Sequence, residues 1–201
     1  MSPGIRVLLA VSLAGCAGHH IVPPPPMPVD ATPYQTLVAR ARSGDTLIDF
    51  TALRRMYSQT TWGAPRVSWD TLVTHAKQAP DNAGARAAID SALDLYYGGV
   101  RAHEIAASIL RTRGDLQDAA TEAALVRGFV RSIAVGSGTS TDSAFSVYSI
   151  QEEYAVMHAR HLRVTMQALL NGRDRYSYDA LTGVDSAGRS VTYYFRLLNG
   201  L

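Results

Sequence analysis

Ala88, Ala92, Leu93 and Tyr96, then Gly98-Gly99, then Ile105, Ile109 and Leu110, then Gly114-Asp115, then Ala119, Ala123, Val126, Val130 and Ile133: this stretch decides the fold. Apolar side chains recur in it at three- and four-residue steps, the period of a helix with one buried face, and glycine separates the stripes. Toward the N-terminus, Trp69, Leu72, Val73 and Ala76 write a shorter stripe closed by Pro80-Asp81-Asn82. Leu47, Phe50, Leu53 and Tyr57 write another, with Asp45 as its expected N-cap and Trp62, Gly63 and Pro65 as its break. The helical pattern thus runs from Tyr34 to about Ile133.

The motif Ala88-x-x-x-Ala92-Leu93 returns 32 residues later as Ala120-x-x-x-Ala124-Leu125. That spacing resembles tetratricopeptide-type helix pairs, in which small residues let successive helices pack closely, and a plain helical bundle explains the same stripes. Beyond Gly136 the texture changes. Gly136-Ser137-Gly138-Thr139-Ser140-Thr141 is a loop, and Ala144, Phe145, Val147 and Tyr148 fit either a short strand or a helix. Ser149-Ile150-Gln151-Glu152 fits a capping box opening a helix through Tyr154, Val156, Met157 and His161. Arg163 to Leu170, Tyr176 to Val184 and Val191 to Leu198 read as strands, with Asn171-Gly172 and Asp185-Ser186-Ala187-Gly188 as turns. The expected fold is α+β and mainly α: helical hairpins over 34–135, then a mixed part over 136–201 that ends in a small antiparallel sheet, all in one domain.

Composition agrees with an ordinary globular chain: 201 residues, 47% hydrophobic, 18% charged, formal net charge +2. It excludes a collagen, a disordered acidic tail and a polytopic membrane protein. Eighteen of the nineteen cations are Arg and only Lys77 is Lys, with no basic run interleaved with aromatics, so nucleic acid is not an expected partner.

The first residues, Met1 to Arg6, are a short basic start; Val7 to Ala14 are apolar, and Gly15-Cys16 follows. That is a secretion signal, too short for a permanent membrane span. Leu13-Ala14-Gly15-Cys16 resembles the lipobox of bacterial lipoproteins, and Cys16 is the only cysteine, leaving it no intramolecular disulfide partner. The resemblance implies cleavage of residues 1–15 and lipidation of Cys16 with palmitate-type acyl chains. Two or three chains hold stably where one holds marginally, at roughly 0.8 kcal/mol per buried methylene. In that family an Asp after the cysteine favours the inner membrane, so Ala17 implies the outer membrane. Residues 16–33, with Pro23 to Pro26, Pro28 and Pro33, form an expected extended tether reaching on the order of 50 Å. His19 and His20 lack a third ligand and read as linker.

The rest of the chain resembles a family known as domain of unknown function 4919. The resemblance rests on Asp49-Phe50-Thr51-Ala52-Leu53-Arg54-x-x-Tyr57, Ala102-His103, Gly128-Phe129-Val130-x-Ser132-Ile133, Gly136-Ser137-Gly138, Glu152-Glu153-Tyr154, Gln167-x-Leu169, Tyr178-Asp179 and Tyr194-Phe195. Two positions depart from the pattern: Ser137 stands where the family has Asp, and Arg196 where it has Asn. The resemblance implies no particular activity.

The candidate site residues are His103, Ser137, Glu153, Tyr154, Tyr178 and Asp179 for binding, with Glu152 beside them. Helix neighbours point about 100° apart, so Glu152 and Glu153 do not converge on one bond, and Glu152 has an expected capping task. Ser137 lacks a nucleophile elbow, and its loop lacks the lysine of a phosphate-binding loop. His158 and His161 lack a third ligand, and no metal or other cofactor is expected. Tyr176, Tyr178, Tyr193 and Tyr194 fit half-buried sheet faces or a carbohydrate or peptide platform. The leading expectation is a lipid-anchored, non-catalytic envelope module that binds another envelope protein or a peptide in a groove between helices. The alternative is an envelope hydrolase acting on a peptide or polymer through His103 with Glu152 or Glu153.

Overall fold

The computed structural model describes residues 31–60, 69–172 and 176–198. The signal sequence, Cys16, His19, His20 and most of the tether lie outside the described residues, as does the break at Trp62, Gly63 and Pro65. In chain order come helices α1 (Ala31–Arg42), α2 (Phe50–Thr60), α3 (Trp69–Gln78), α4 (Asn82–Tyr96), α5 (Val100–Thr112) and α6 (Leu116–Ile133), strand β1 (Phe145–Val147), helix α7 (Ile150–Ala159), and strands β2 (Arg163–Asn171), β3 (Ser177–Val184) and β4 (Ser190–Leu197). The chain is α+β: a mainly helical N-terminal region followed by a small four-stranded mixed sheet.

Caps decide where the helices start. Asp81 accepts the Gly84 N–H at 2.7 Å and opens α4, and Asp115 accepts the Asp118 N–H to open α6. Asp45 is not the cap of α2. Its carboxylate holds the Leu47 N–H in a turn, Leu47 stands 88% exposed, and Asp49 accepts the Ala52 N–H at 2.9 Å instead. The reason is reach, because a capping oxygen meets an N–H two or three residues on, and Asp45 is too far from the first turn. Helix α1 begins at Ala31, inside the expected tether; Pro33 is tolerated in a first turn, where its missing N–H has no acceptor to lose.

Helices α3 with α4 and α5 with α6 pack as hairpins, and α2 crosses α6. Gly128 permits that crossing: a Cβ there would lie 2.2 Å from the Phe50 ring. Leu53, Leu93, Val100, Leu110, Leu125 and Phe129 fill the helical core. A second core lies between α7 and the sheet, built from Phe145, Val147, Val156, Met157, Leu181 and Phe195. Helix α7 joins the two, with Ala155 in the first and Val156 and Met157 in the second.

The strand order is β1-β4-β3-β2. β2, β3 and β4 form an antiparallel meander, with Gly188 at φ +79° in the turn between β3 and β4. The expected purely antiparallel sheet is corrected by β1, which resolves as a strand and pairs parallel to β4, Phe145 opposite Phe195. Residues 150–159 form α7 between β1 and β2, so β1 is free to enter from the far side of the meander. Gly138, at φ +69°, lets the preceding loop lie on the Phe145 ring and offer its carbonyl to the Tyr194 N–H at 2.8 Å.

Candidate functional site

Three buried polar constellations sit where these elements meet. In the first, Arg54 of α2, 2% exposed, grips Glu152 of α7 with both arms: Nε donates to Oε1 at 2.8 Å and Nη2 to Oε2 at 2.7 Å. Arg54 also donates to the Ser132 and Ser146 carbonyls, tying α6 and β1 to the same guanidinium. Glu152 accepts the Tyr148 N–H at 2.8 Å. The expected capping box is absent: Ser149 makes no side-chain cap, and the Glu152 carboxylate serves Arg54 and the Tyr148 N–H instead.

In the second, His103 on α5 is fully buried between Glu122 Oε2 at 2.6 Å and the Tyr97 carbonyl at 2.7 Å. A carbonyl oxygen only accepts, so Nε2 carries a proton, and a further proton lies between Nδ1 and Glu122. The ring stacks on Phe129 and meets Tyr97 edge-on. Both nitrogens are engaged, as in a histidine bonded between helices.

The third lies between α7 and the sheet. Glu153 is fully buried and faces Asp179 of β3, itself 2% exposed. Gln167 of β2 donates to Asp179 Oδ2 at 2.7 Å and accepts from the Tyr154 hydroxyl at 3.3 Å. Among the described residues no N–H or neighbouring hydroxyl reaches either Glu153 oxygen. Burial first, then the charges of Asp179 and Glu152, push Glu153 up to about 9. Glu153 is thus protonated at neutral pH, and its own proton turns a contact between two acids into a hydrogen bond.

These positions answer the sequence reading residue by residue. Glu153, Tyr154 and Asp179 come together through Gln167, a motif residue not singled out as a site. Glu152 and Glu153 point to different partners, as helix geometry requires. His103 joins neither, and Arg54, the partner of Glu152, is 98 residues distant in sequence. Ser137 bonds to the Thr139 and Ser143 hydroxyls within its own exposed loop. Tyr178 is buried, but on the sheet face opposite Asp179, with the Arg196 guanidinium 5.9 Å from its ring. His158 makes a 3.4 Å contact to Glu104, and His161 ends α7 at φ 57°; both are exposed. Among the described residues no group of three or more His, Cys, Asp or Glu side chains is placed to hold a metal ion, and no helix is long and apolar enough to cross a membrane.

Two surfaces remain. Between α3, α4 and α5 lies a small apolar cleft bordered by Val73, Ala88, Ala92, Ile105 and Ile109, with room for about one water molecule. The other is the β2 side of the sheet, which has no further strand among the described residues and exposes Met166 (59%), Leu169 (58%) and Leu170 (37%). Comparison with protein-family models, with curated proteins and with solved structures finds no match for this chain.

Proposed function

We propose that the chain is a lipid-anchored protein of the bacterial envelope, held to the outer membrane through acylated Cys16, whose folded part is a non-catalytic binding and assembly module. The observation that carries the reading is the contrast between closed chemistry and an open edge. Among the described residues Glu152 is answered by Arg54, Glu122 by His103, and Asp179 by Gln167 with Glu153 facing it. The β2 edge, by contrast, presents apolar side chains and has no strand on its outer side among the described residues, a usual means of recruiting an extended partner. The hydrolase alternative finds no support here, since His103 and the two glutamates are engaged separately.

The resemblance to domain of unknown function 4919 fits this reading. Arg54, His103, Gly128, Phe129, Glu152, Glu153 and Asp179 carry it, and all are buried in the contacts that hold the layers together. The tetratricopeptide-like reading of the hairpins has similar support. Its echoed motifs lie on α4 and α6, the second helix of each pair, with Leu93 and Leu125 both buried, although Ala120 is exposed where Ala88 is half-buried.

A photo-crosslinking amino acid at position 166, in cells carrying the full chain, tests the proposal. Adducts are expected there and not at position 47, which is 88% exposed and lies in the turn before α2. Equal or absent crosslinking at the two positions overturns it. Mass spectrometry of the native protein is expected to find acyl chains on Cys16, and a bare thiol removes the membrane setting.

A further inference from the structure

The outer side of the α2–α6 pair carries charge that the fold leaves unanswered. Phe50 and Arg54 of α2 meet Gly128 and Ser132 of α6, four residues apart on each helix and in the same order, so the two helices run side by side in one direction. Successive helical residues turn by about 100°. On α2, Leu53, the residue before Arg54, is therefore turned into the core, and Arg55, the residue after it, comes out on the far side. On α6 the sense reverses. Phe129 and Ile133, one after each contact, are buried, while Arg127 and Arg131, one before each contact, come out on the same side as Arg55. Ala120 and Ala124 continue the α6 row toward its N-terminus, so short side chains flank the guanidinium groups.

This face has no acid to set against its cations. Helix α2 contains no Asp or Glu, and the two acids of α6 are taken, Asp118 by Arg86 and Glu122 by His103. Exposed arginines elsewhere have a carboxylate in reach, as Arg40 has Asp45, Arg42 has Asp94, Arg101 has Glu104 and Arg189 has Asp185. Arg55, Arg127 and Arg131 are exposed and have none among the described residues. Arg127 and Arg131 also stand one turn apart, where like charges repel and weaken the helix. An anionic partner offsets that repulsion, and a guanidinium offers phosphate two parallel donors.

The distance to the anchor says which anion is near. Between Cys16 and the start of α1 at Ala31 the chain spans on the order of 50 Å at most, so a protein held by Cys16 keeps its folded part beside lipid headgroups. We propose that the outer face of α2 and α6 rests on the membrane surface, with Arg55, Arg127 and Arg131 set against anionic lipid headgroups. The proposal rests on the reading of Cys16 as an acylated anchor and adds which side of the folded part meets the bilayer. Each arginine brought to an anionic surface tightens such a contact about fivefold, and the attraction fades within about 8 Å in physiological salt.

The test uses the full acylated chain on vesicles of phosphatidylcholine with or without phosphatidylglycerol. Ala120→Cys carries a fluorophore, since Ala120 is exposed on this face and acylation blocks the Cys16 thiol. A lipid with a spin-labelled headgroup quenches the fluorophore on contact. Quenching is expected to be at least about threefold stronger with phosphatidylglycerol and to fall to the phosphatidylcholine level in high salt, which shortens the reach of the field. Arg55→Gln, Arg127→Gln and Arg131→Gln together are expected to remove the difference. These side chains are exposed, so the fold is kept, which circular dichroism checks. Equal quenching on the two vesicles, or a difference that survives the triple substitution, overturns the proposal. Flotation separates the two readings: a chain that floats with both vesicles yet is quenched equally keeps its anchor and loses only this face, whereas a chain that floats with neither loses both.

Discussion

The helical layer and the junction of α7 with the sheet solve the same problem in opposite ways. In the helical layer each buried acid meets a base: Arg54 holds Glu152 at its edge, and His103 holds Glu122 in its interior. At the junction, one residue further along α7, Glu153 meets another acid, Asp179. The difference teaches that in the helical layer each buried acid is set against a basic side chain of the chain, whereas at the junction two acids are set against each other. Burying a charge without a counter-charge costs several kcal/mol, so the junction is more stable with Glu153 protonated than ionised.

The strongest break of this comparison is at Arg54. Arg54→Ala leaves the Glu152 carboxylate buried without its cation, an expected loss of about 3–5 kcal/mol in urea unfolding, whereas Arg54→Met with Glu152→Leu recovers most of it. If the single and double variants are equally unstable, packing and not charge balance dominates that corner.

The second prediction concerns pH. Glu153 binds its proton more tightly folded than unfolded, at about 9 against 4.5. Between those values the folded state carries a proton that the unfolded state lacks. The stability from this group is therefore complete below about pH 4.5, falls as pH rises and is gone by about 9. The difference between wild type and Glu153→Gln, whose amide supplies a permanent donor to Asp179, is expected to change by up to about 1.4 kcal/mol per pH unit across that window. Parallel stability–pH curves for the two proteins would show that Glu153 ionises normally.

The smallest effect belongs to the edge. Met166→Lys is expected to change the unfolding free energy of the monomer by less than about 0.5 kcal/mol, since an exposed position loses little packing. A loss of several kcal/mol would mean that the edge is part of the core, and the contrast between closed junctions and open edge would fail.

Much of the secondary structure was legible. The strand reading from Arg163 to Leu198 matches β2, β3 and β4 to within a residue or two, because alternation and turn residues act over a few positions. The stripes on α4, α5 and α6 were legible for the same reason. Asp49 caps α2 directly before Phe50, and the sequence hides it because Leu47, exposed in the fold, keeps the spacing of the stripe's first member. Of the site, the divergence of Glu152 and Glu153 followed from helix geometry alone. Arg54 was not recognisable as the partner of Glu152, since nothing local connects an arginine on α2 to a helix 98 residues later.

By itself the sequence determined the helices, the three-stranded meander and the caps at Asp81 and Asp115, all consequences of forces between near neighbours. Only the tertiary structure decided that β1 enters parallel beside β4, that Gln167 joins the Glu153–Asp179 pair, and that Glu153 keeps its proton. Those outcomes depend on which distant groups share a buried volume, and the free energy of a charge is set by that surrounding rather than by its place in the chain.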